Sequence, residues 1–276
     1  MTEPSASRTA DGVALIRAVH QLLDDQPLIL DDPVSLLLVG ESMVEVIRRR
    51  PEKATVPAAA ALRSHVVLRS RYAEDRLRQA MQRGVAQYVM LGAGLDTFAY
   101  RQPPWAENLH IFEVDHRASQ QAKRDQLERA GVAVPSNVAF ATLDLNVDLP
   151  GLGLVRAGFD PEQPAFISCL GVLAYLDPVA VDSIFVWVAS LPRGSEFVFT
   201  FAQPTDGPER GTAARVAELD EPWRTRFRPA QLRQRLAEIG YTSVSFLEPA
   251  DAAAYFGGRS DALRPPARAS IVRALI

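Results

Sequence analysis

Cysteine, lysine and long apolar runs are scarce in this sequence, and each scarcity excludes a class of protein. The one cysteine, Cys169, allows no internal disulfide and no cysteine-rich zinc site. The apolar run Leu36 to Val39 is far shorter than a membrane span, and we expect no signal peptide before it. We therefore expect a cytoplasmic protein that is stabilised by packing and has no membrane partner.

Lysine is almost absent, since Lys53 and Lys123 are the only two among 30 basic residues. Neither has a tyrosine four positions earlier, as a short-chain reductase requires, and neither follows a glycine, as a phosphate-binding loop requires. The formal net charge of -3 and the isoelectric point near 5.9 provide no dense cationic surface for phosphates. We therefore expect no nucleic-acid partner.

Short apolar runs alternate with helical patterns along most of the 276 residues. Strands that alternate with helices of about 10–15 residues imply right-handed crossovers and a largely parallel sheet with helices on both faces. We therefore predict a doubly wound α/β domain with seven strands. The predicted strands are 87–91, 109–114, 138–143, 165–170, 196–201, 243–247 and 270–276.

Helical additions are predicted before and within this domain. Apolar periodicity from Val13 to Leu23 and from Pro57 to Arg83 predicts two helices. We assign residues 1–60 to an N-terminal helical lid and residues 61–276 to the α/β core. A charged stretch at about 204–228, broken by prolines, predicts a helical insertion that covers the substrate.

A glycine pair follows the first predicted strand, in the run Tyr88 to Thr97. Gly92 and Gly94 let the backbone turn sharply at the carboxyl end of the strand, where an open α/β sheet binds its ligand. The alternative is an ordinary tight turn between a strand and a helix. Thr97 stands where a dinucleotide-binding fingerprint has its third glycine, which argues against a pyrophosphate site.

Charged side chains lie near this turn in the sequence. Asp115 ends the second strand and is suited to accept hydrogen bonds from both hydroxyls of a ribose, with Glu113 as its competitor on the same side of the strand. Asp144 ends the third strand, near where an adenine amino edge would lie. Either aspartate could instead be a helix N-cap. An arginine in the segment 69–75 could clamp the carboxylate of a methionine moiety, or belong to a solvated face.

Four segments share the motifs of a known family. They are Arg-Ser-Arg-Tyr at 69–72, Leu-Gly-Ala-Gly-Leu-Asp-Thr at 91–97 with Arg101, Glu-Val-Asp at 113–115 and Leu-Gly-Val-Leu-Ala-Tyr-Leu at 170–176. Together they resemble the leucine carboxyl methyltransferase family over about residues 10–205. The resemblance implies a Rossmann-like α/β fold that uses S-adenosyl-L-methionine (SAM) and releases S-adenosyl-L-homocysteine (SAH). It also implies methyl transfer to oxygen, as in the family's bacterial O-methyltransferases of secondary metabolism, which act on polyketide or peptide products.

The resemblance also implies a set of cofactor contacts. Arg71 would hold the methionine carboxylate, Gly92, Gly94 and Asp96 would form the glycine turn, Asp115 would bind the ribose, and Asp144 with Leu145 would flank the adenine. Leu170 departs from the family, which often has a glutamate there, near the methionine amino group. We expect backbone carbonyls at 169–171 to make that contact instead.

Few residues can be assigned to the binding of the methyl acceptor. By the resemblance, Tyr175 and Tyr72 are the candidates for orienting the acceptor, although a buried tyrosine is as often part of a core. A carboxylate acceptor is already ionised, whereas a phenol with a pKa of about 10 benefits from a base. No motif surrounds any of the four histidines, which are His20, His65, His110 and His116. We expect a small-molecule or peptide acceptor, no metal and, as one form of assembly, a homodimer.

Two other classes stay open. A dinucleotide-dependent oxidoreductase is disfavoured by Thr97, and a non-catalytic scaffold with the same fold is suggested by Leu170 alone. A nucleic-acid base methyltransferase is disfavoured because the fourth strand ends in Ser-Cys-Leu-Gly at 168–171, not in Asn/Asp-Pro-Pro-Tyr/Phe.

Overall fold

The computed structural model describes residues 8–204 and 222–276. Its strands are β1 Gln87–Leu91, β2 His110–Asp115, β3 Val138–Thr142, β4 Ala165–Cys169, β5 Glu196–Thr200, β6 Ser243–Phe246 and β7 Ile271–Leu275. They form one seven-stranded sheet in the order β3-β2-β1-β4-β5-β7-β6. Strands β1 to β5 are parallel, and β7 is antiparallel to both of its neighbours. The prediction of a seven-stranded, mostly parallel sheet is confirmed.

The helices include the two that the sequence predicted, of which the first begins at Arg8 instead of Val13 and the second ends at Gln82 instead of Arg83. They are α1 Arg8–Leu23, α2 Pro33–Val39, α3 Glu41–Arg49, α4 Glu52–Thr55, α5 Pro57–Gln82, α6 Arg117–Arg129, α7 Pro150–Arg156, α8 Pro178–Ala189, α9 Pro229–Ile239 and α10 Pro249–Ala252. Proline opens several of them because its missing N–H is not needed in the first turn. Gly240 ends α9 with a left-handed backbone, φ 118°.

The sheet is buried on both faces. Alternate side chains of β1 point to opposite sides, so that Val89 and Leu91 join the core formed with α7, α8 and α9, whereas Tyr88 and Met90 join the core formed with α5. This double burial explains why the strands are nearly continuous apolar runs. It also fixes α5 against the sheet, where it runs opposite to the parallel strands.

The N-terminal helices pack beside this core. Helix α1 lies against α2 and α5, and the predicted helical character of the first 60 residues is present from Arg8 onward. The predicted helical insertion at about 204–228 falls mainly on residues 205–221, which lie outside the described part of the chain. No helix in the described ranges is both long and apolar enough to cross a membrane.

Candidate cofactor site at the carboxyl edge of the sheet

The glycine turn after β1 is tightly constrained. Gly92 and Gly94 have positive φ angles of 68° and 46°, and the amides of Gly92 and Ala93 both donate to the carbonyl of Val114, at 2.8 and 3.0 Å. A Cβ atom at position 92 would lie 2.4 Å from Val172. Position 92 therefore needs glycine for its backbone angle and for the close approach of the loop after β4.

Asp115 lies beside this turn at the end of β2. Its Oδ2 accepts a hydrogen bond from the Gly94 amide at 2.6 Å, and its Oδ1 accepts one from the His116 amide at 2.7 Å. Burial raises the pKa of Asp115, although these two amides act in the opposite direction. The N-cap of α6 is His116, so the N-cap alternative for Asp115 is wrong. A carboxylate can accept about four hydrogen bonds, so Asp115 retains capacity for two ligand hydroxyls.

The competing carboxylate, Glu113, does not face the turn. It is 1% exposed, accepts a hydrogen bond from Lys123 of α6 at 2.7 Å and accepts another from the hydroxyl of Tyr100 at 3.0 Å. Both partners belong to the interior, so Glu113 is a structural residue. The choice of Asp115 over Glu113 agrees with this geometry.

Arg69 is a buried cation at this edge. Its residue is 9% exposed, and its guanidinium packs under the turn after β4, where a Cβ atom at Gly171 would lie 2.6 Å from Nη1. Its Nε atom is buried and has no hydrogen-bond partner among the described residues. Burial and the charge of Arg17 lower the pKa of Arg69 to about 10. A buried donor in this state is costly unless an anion pairs with it.

Arg71, which the resemblance assigned to the methionine carboxylate, lies elsewhere. Its side chain is 45% exposed, its Nε donates to Asp75 at 2.9 Å, and its Nη1 donates to the carbonyl of Ile29 at 3.3 Å. Successive helix residues are about 100° apart, so Arg71 points away from the face of Arg69. We therefore replace Arg71 with Arg69 as the candidate for this contact.

Helix periodicity is the signal that distinguishes the two arginines. Val66, Ala73 and Leu77 are buried on α5 and recur at the spacing of one helix face that also contains Arg69. Arg71 falls between these positions. The sequence therefore contained the information, although the motif alone did not show which arginine faced the sheet.

Asp96 lies within the glycine motif but serves to hold α1 against it. Its Oδ2 accepts a hydrogen bond from Arg17 at 2.6 Å, and its Oδ1 accepts one from the Phe98 amide at 2.9 Å. Burial raises the pKa of Asp96, but Arg17 outweighs it and holds the pKa below its usual range. The carboxylate is 18% exposed. The structure thus gives Asp96 a contact that holds α1 against the glycine motif.

Arg17 and Arg101 extend this anchor, and sequence reasoning gave neither of them a role. Arg17 also donates to the hydroxyl of Ser70 at 2.8 Å. Arg101 donates to Thr97 at 3.2 Å and forms a two-contact ion pair with Glu74 of α5. These contacts join α1, α5 and the glycine motif into one charged network beneath the site.

The predicted adenine contacts lie at the end of β3. The Asp144 carboxylate accepts a hydrogen bond from the Asn146 amide at 2.9 Å, and the Asp144 amide donates to Asp148 at 2.8 Å. Leu149 is the N-cap of α7, so the N-cap alternative for Asp144 is wrong. The Leu145 side chain is buried in the core. Only its backbone is therefore suited to contact a ligand.

Leu170 follows β4 and turns its side chain into apolar surroundings. It packs against the core on the α5 side of the sheet, and the next amide, that of Gly171, donates to the hydroxyl of Thr200 at 2.6 Å. Gly171 has a positive φ of 77°. The chain around Leu170 thus offers backbone groups at the position where the family often has a glutamate.

The two candidate tyrosines lie apart. Tyr175 lies in the 3₁₀ turn Leu173–Tyr175 and is close enough to Arg69 to raise the pKa of that guanidinium. Tyr72 lies instead among Arg76, Arg273 and Glu196, and burial raises its pKa. Glu196, the centre of this charged group, opens β5 at the amino edge of the sheet. Tyr175 thus lies near Arg69, whereas Tyr72 lies near the charged group around Glu196.

Comparison with known proteins places this geometry in a family. A sequence profile of the leucine carboxyl methyltransferase family matches residues 10–189. The Bacillus subtilis protein YktD, which carries the name of a SAM-dependent methyltransferase, is 30% identical with 95% of each chain covered. A Mycolicibacterium smegmatis protein with the same kind of name is 32% identical over 84% of this chain and 72% of its own. A structure from Thermobifida fusca, described as a methyltransferase, has a TM-score of 0.56 at 17% identity and covers 95% of this chain and 93% of its own, which concerns the fold alone.

These findings define the class of protein, which is a SAM-dependent methyltransferase with a Rossmann-like fold. The chain belongs to the leucine carboxyl methyltransferase family.

The residues at the carboxyl edge fit SAM. Arg69 presents a buried, unpartnered donor that a ligand carboxylate would satisfy, and Asp115 retains acceptor capacity beside the glycine turn. No group of three or more His, Cys, Asp or Glu residues within 8–204 and 222–276 is arranged to hold a metal ion. The cofactor chemistry of the site is therefore that of SAM.

Proposed function

We propose that the protein transfers the methyl group of SAM to an oxygen atom of a carboxylate or hydroxyl group on a small molecule, natural product or peptide. The observation that carries this proposal is Arg69, a buried cation whose Nε has no partner among the described residues and whose guanidinium packs under the Gly171 turn. An unpaired buried cation at the ligand edge of an α/β sheet favours an anionic group, such as the carboxylate of the methionine moiety.

Each residue of the proposed site has a binding role. Arg69 binds the methionine carboxylate, and backbone carbonyls around Leu170 accept hydrogen bonds from the amino group. Asp115 accepts hydrogen bonds from both ribose hydroxyls. Asp144 and the backbone of Leu145 flank the adenine. The ion pair between Arg17 and Asp96 holds α1 over the glycine turn. The two segments are close there, since a Cβ atom at Gly94 would lie 3.5 Å from Ala10 of α1.

Methyl transfer from SAM requires no covalent bond between the protein and the methyl group. SAM supplies a methyl group on a positively charged sulfur, from which an acceptor oxygen displaces it in line. The chain's part is to hold the acceptor at that methyl group and to exclude water, which together are worth up to about 7–11 kcal/mol of the barrier. Tyr175 lies on the side of the site where it can orient the acceptor.

The cellular setting, the cover over the cofactor and the assembly are also part of the proposal. We propose a cytoplasmic enzyme of secondary metabolism whose helical segment 1–60 covers the cofactor. Its partner would be a small-molecule or peptide acceptor, not nucleic acid or a membrane, and its assembly a homodimer.

The test combines binding with transfer. SAM and SAH are titrated calorimetrically into the parent protein and into Asp115→Asn, with Asp125→Asn on the outer surface of α6 as the matched control. Methyl-labelled SAM is then incubated with phenols, alcohols and carboxylic acids. We expect SAH binding that Asp115→Asn weakens about tenfold, because one charge-assisted contact is worth roughly 1.5–3 kcal/mol, and label transferred to oxygen. Binding without transfer to any oxygen acceptor favours the scaffold alternative, and transfer to nitrogen or sulfur alone contradicts the O-methyl proposal.

A further inference from the structure

His65 lies one helical turn before Arg69 on α5, at the same edge of the sheet. It is partly buried, and its Nδ1 lies 3.4 Å from the hydroxyl oxygen of Ser270. The carbonyl of Ser270 accepts a hydrogen bond from the amide of Phe201, directly after β5. His65 therefore lies over the carboxyl end of β5, beside the proposed cofactor site. More than 200 residues separate it from Ser270, so no local sequence pattern could indicate this pairing.

The other ring nitrogen of His65 is available to a ligand. Among the residues that the structure describes, Nε2 has no hydrogen-bond partner, and it is not among the buried atoms without a partner. The Tyr175 side chain is close enough to Arg69 to affect its pKa and also makes no hydrogen bond within the described ranges. Arg69 thus has two polar side chains beside it that are free to meet a second molecule.

The charges around His65 keep its imidazole neutral. Burial and the charge of Arg69 lower the pKa of His65 to about 3. The segment before β7 carries two further cations. Arg264 donates to the carbonyls of Asp261 and Leu263, and Arg268 is exposed. No carboxylate in the described part of the chain is hydrogen-bonded to His65. Its ring is therefore a hydrogen-bond acceptor or donor without charge at neutral pH.

We propose that His65 binds the hydroxyl group of the methyl acceptor through Nε2 and takes the proton of that hydroxyl during transfer. This inference rests on the proposed function and deepens it, because it selects a hydroxyl over a carboxylate. The acceptor oxygen forms a bond to the methyl carbon, the carbon–sulfur bond breaks with its electron pair left on sulfur, and the hydroxyl proton moves to Nε2. Ser270 positions the ring from the other side.

The neighbouring Arg69 gives this base a built-in order of events. While Arg69 is unpaired, its charge opposes a second positive charge on His65. A carboxylate bound to Arg69 offsets that charge, which is the smaller of the two causes that lower the pKa of His65, and burial is the larger. A base works best when its pKa lies near the working pH. Pairing of Arg69 with the carboxylate therefore raises the pKa of His65 toward that range, while burial still holds it below the ordinary value.

The first test reads the charge of His65 without any acceptor. Histidine ring nitrogens are labelled with ¹⁵N, and spectra of the parent protein are recorded with and without SAH from the lowest pH at which the protein stays folded up to about pH 8. His65→Gln identifies the His65 signals. We expect a neutral His65 in the free protein and a titration midpoint that rises when SAH binds. In Arg69→Met, the midpoint should already be raised, and SAH should add nothing.

The second test uses methyl-labelled SAM with 4-nitrophenol, 4-chlorophenol and benzoate as probes. His65→Gln should bind SAH as the parent does, within about twofold, and lose roughly 100-fold in methylation of 4-chlorophenol, the contribution typical of a general base. Methylation of 4-nitrophenol should fall less, because this more acidic phenol ionises near neutral pH without a base. The matched control is His110→Gln, which changes an exposed histidine at the start of β2, at the amino edge of the sheet. Ser270→Ala should lower phenol methylation less than His65→Gln does, and it should alter the pH dependence of the rate.

Any of three results would overturn the role of His65. The first is identical His65 signals with and without SAH at every pH at which the protein is folded. The second is methylation of 4-chlorophenol that His65→Gln lowers by less than about threefold. The third is benzoate methylated in preference to both phenols. Failure of SAH to bind the parent protein would instead refute the proposed function, so the two failures can be told apart.

Discussion

Helix α5 carries arginines to both edges of the sheet, and the two edges differ in how these arginines are paired. At the amino edge, Arg76 of α5, Arg83 directly after α5 and Arg273 of β7 surround Glu196 at nitrogen-to-oxygen distances of 2.9, 2.5 and 2.7 Å. At the carboxyl edge, Arg69 is more deeply buried than any of these three, yet its Nε has no partner among the described residues.

The two edges thus differ in whether the buried charge has a partner within the described part of the chain. The side chain of Glu196 is 0% exposed. Burial raises its pKa, but hydrogen bonds from Arg273 and Arg76 outweigh burial and hold the pKa below its usual value. Every charge of that cluster has a partner, so the cluster stabilises the fold. Arg69 adds desolvation cost, and its Nε has no partner in the described part of the chain. In the proposed function, the carboxylate of SAM supplies the matching anion.

The largest expected effect follows from removing the unpaired cation. Arg69→Met should weaken SAH binding about 100-fold, because a charge-assisted, two-contact pair with a carboxylate is worth roughly 2–3 kcal/mol. The melting temperature should stay the same or rise, because the variant no longer buries an unpaired charge. Calorimetric titration and thermal unfolding measure the two quantities. A variant that binds SAH normally and unfolds more easily would make Arg69 a structural residue like those around Glu196.

Removing the paired carboxylate should give the opposite pattern. Glu196→Gln leaves three arginines around an uncharged side chain, and we expect the free energy of unfolding to fall by about 2–3 kcal/mol, since breaking a buried ion pair is strongly destabilising. SAH affinity should remain within about twofold. Chemical denaturation and titration check this, with Glu238→Gln on exposed α9 as the control. A loss of SAH affinity without a loss of stability would contradict the comparison.

A side chain at the turn above Arg69 should weaken binding by an intermediate amount. The Cβ of Gly171→Ala would lie 2.6 Å from Arg69 Nη1 at a backbone φ of 77°, so the guanidinium must shift. We expect SAH binding to weaken about tenfold, as one of two carboxylate contacts is lost. Gly257→Ala is the control, since a Cβ there meets nothing within 4 Å. Unchanged affinity in Gly171→Ala would show that the carboxylate does not meet Arg69 at this turn.

Acid should weaken the amino-edge cluster in a defined pH range. Because the pKa of Glu196 is lower in the folded protein than its ordinary value of 4.5, its contribution to stability is present above that value and is lost as the pH falls through the folded pKa. The parent protein should therefore lose more stability than Glu196→Gln between about pH 5 and pH 3. Denaturation at several pH values measures this, and parallel curves for both proteins would contradict it.

The smallest effect is expected at Arg71. Arg71→Ala removes an exposed contact with Asp75 at 2.9 Å, and exposed pairs of this kind are worth about 0.3–0.5 kcal/mol. SAH affinity should change by less than about twofold. SAH is titrated into Arg71→Ala and Arg69→Met side by side. The two variants are a matched pair, since the two arginines are two residues apart on one helix. A large loss of affinity at Arg71 would restore the assignment that the sequence motif suggested.

Sequence patterns predicted the sheet well because they carry local information. The run at Gln87–Leu91 was predicted at the positions where β1 is found, since five buried residues before a glycine leave little choice of structure. Asp115 could also be chosen from its place at the end of β2.

Contacts between distant segments could not be predicted in this way. Asp96 looked like a cofactor residue because it lies in the glycine motif, but its partner is Arg17, 79 residues away. His65 and Ser270 are brought together only by the packing of α5 across the end of β7. Such pairs depend on tertiary structure, which no local pattern records.

The most direct test of the account compares two ligands in two proteins. SAH and 5′-methylthioadenosine share the nucleoside, but only SAH has the amino-acid carboxylate that we assign to Arg69. Affinities for both are measured by calorimetry in the parent protein and in Arg69→Met. The account predicts that the parent prefers SAH by about 100-fold and that Arg69→Met binds the two ligands almost equally. A strong preference for SAH that survives in Arg69→Met would contradict it.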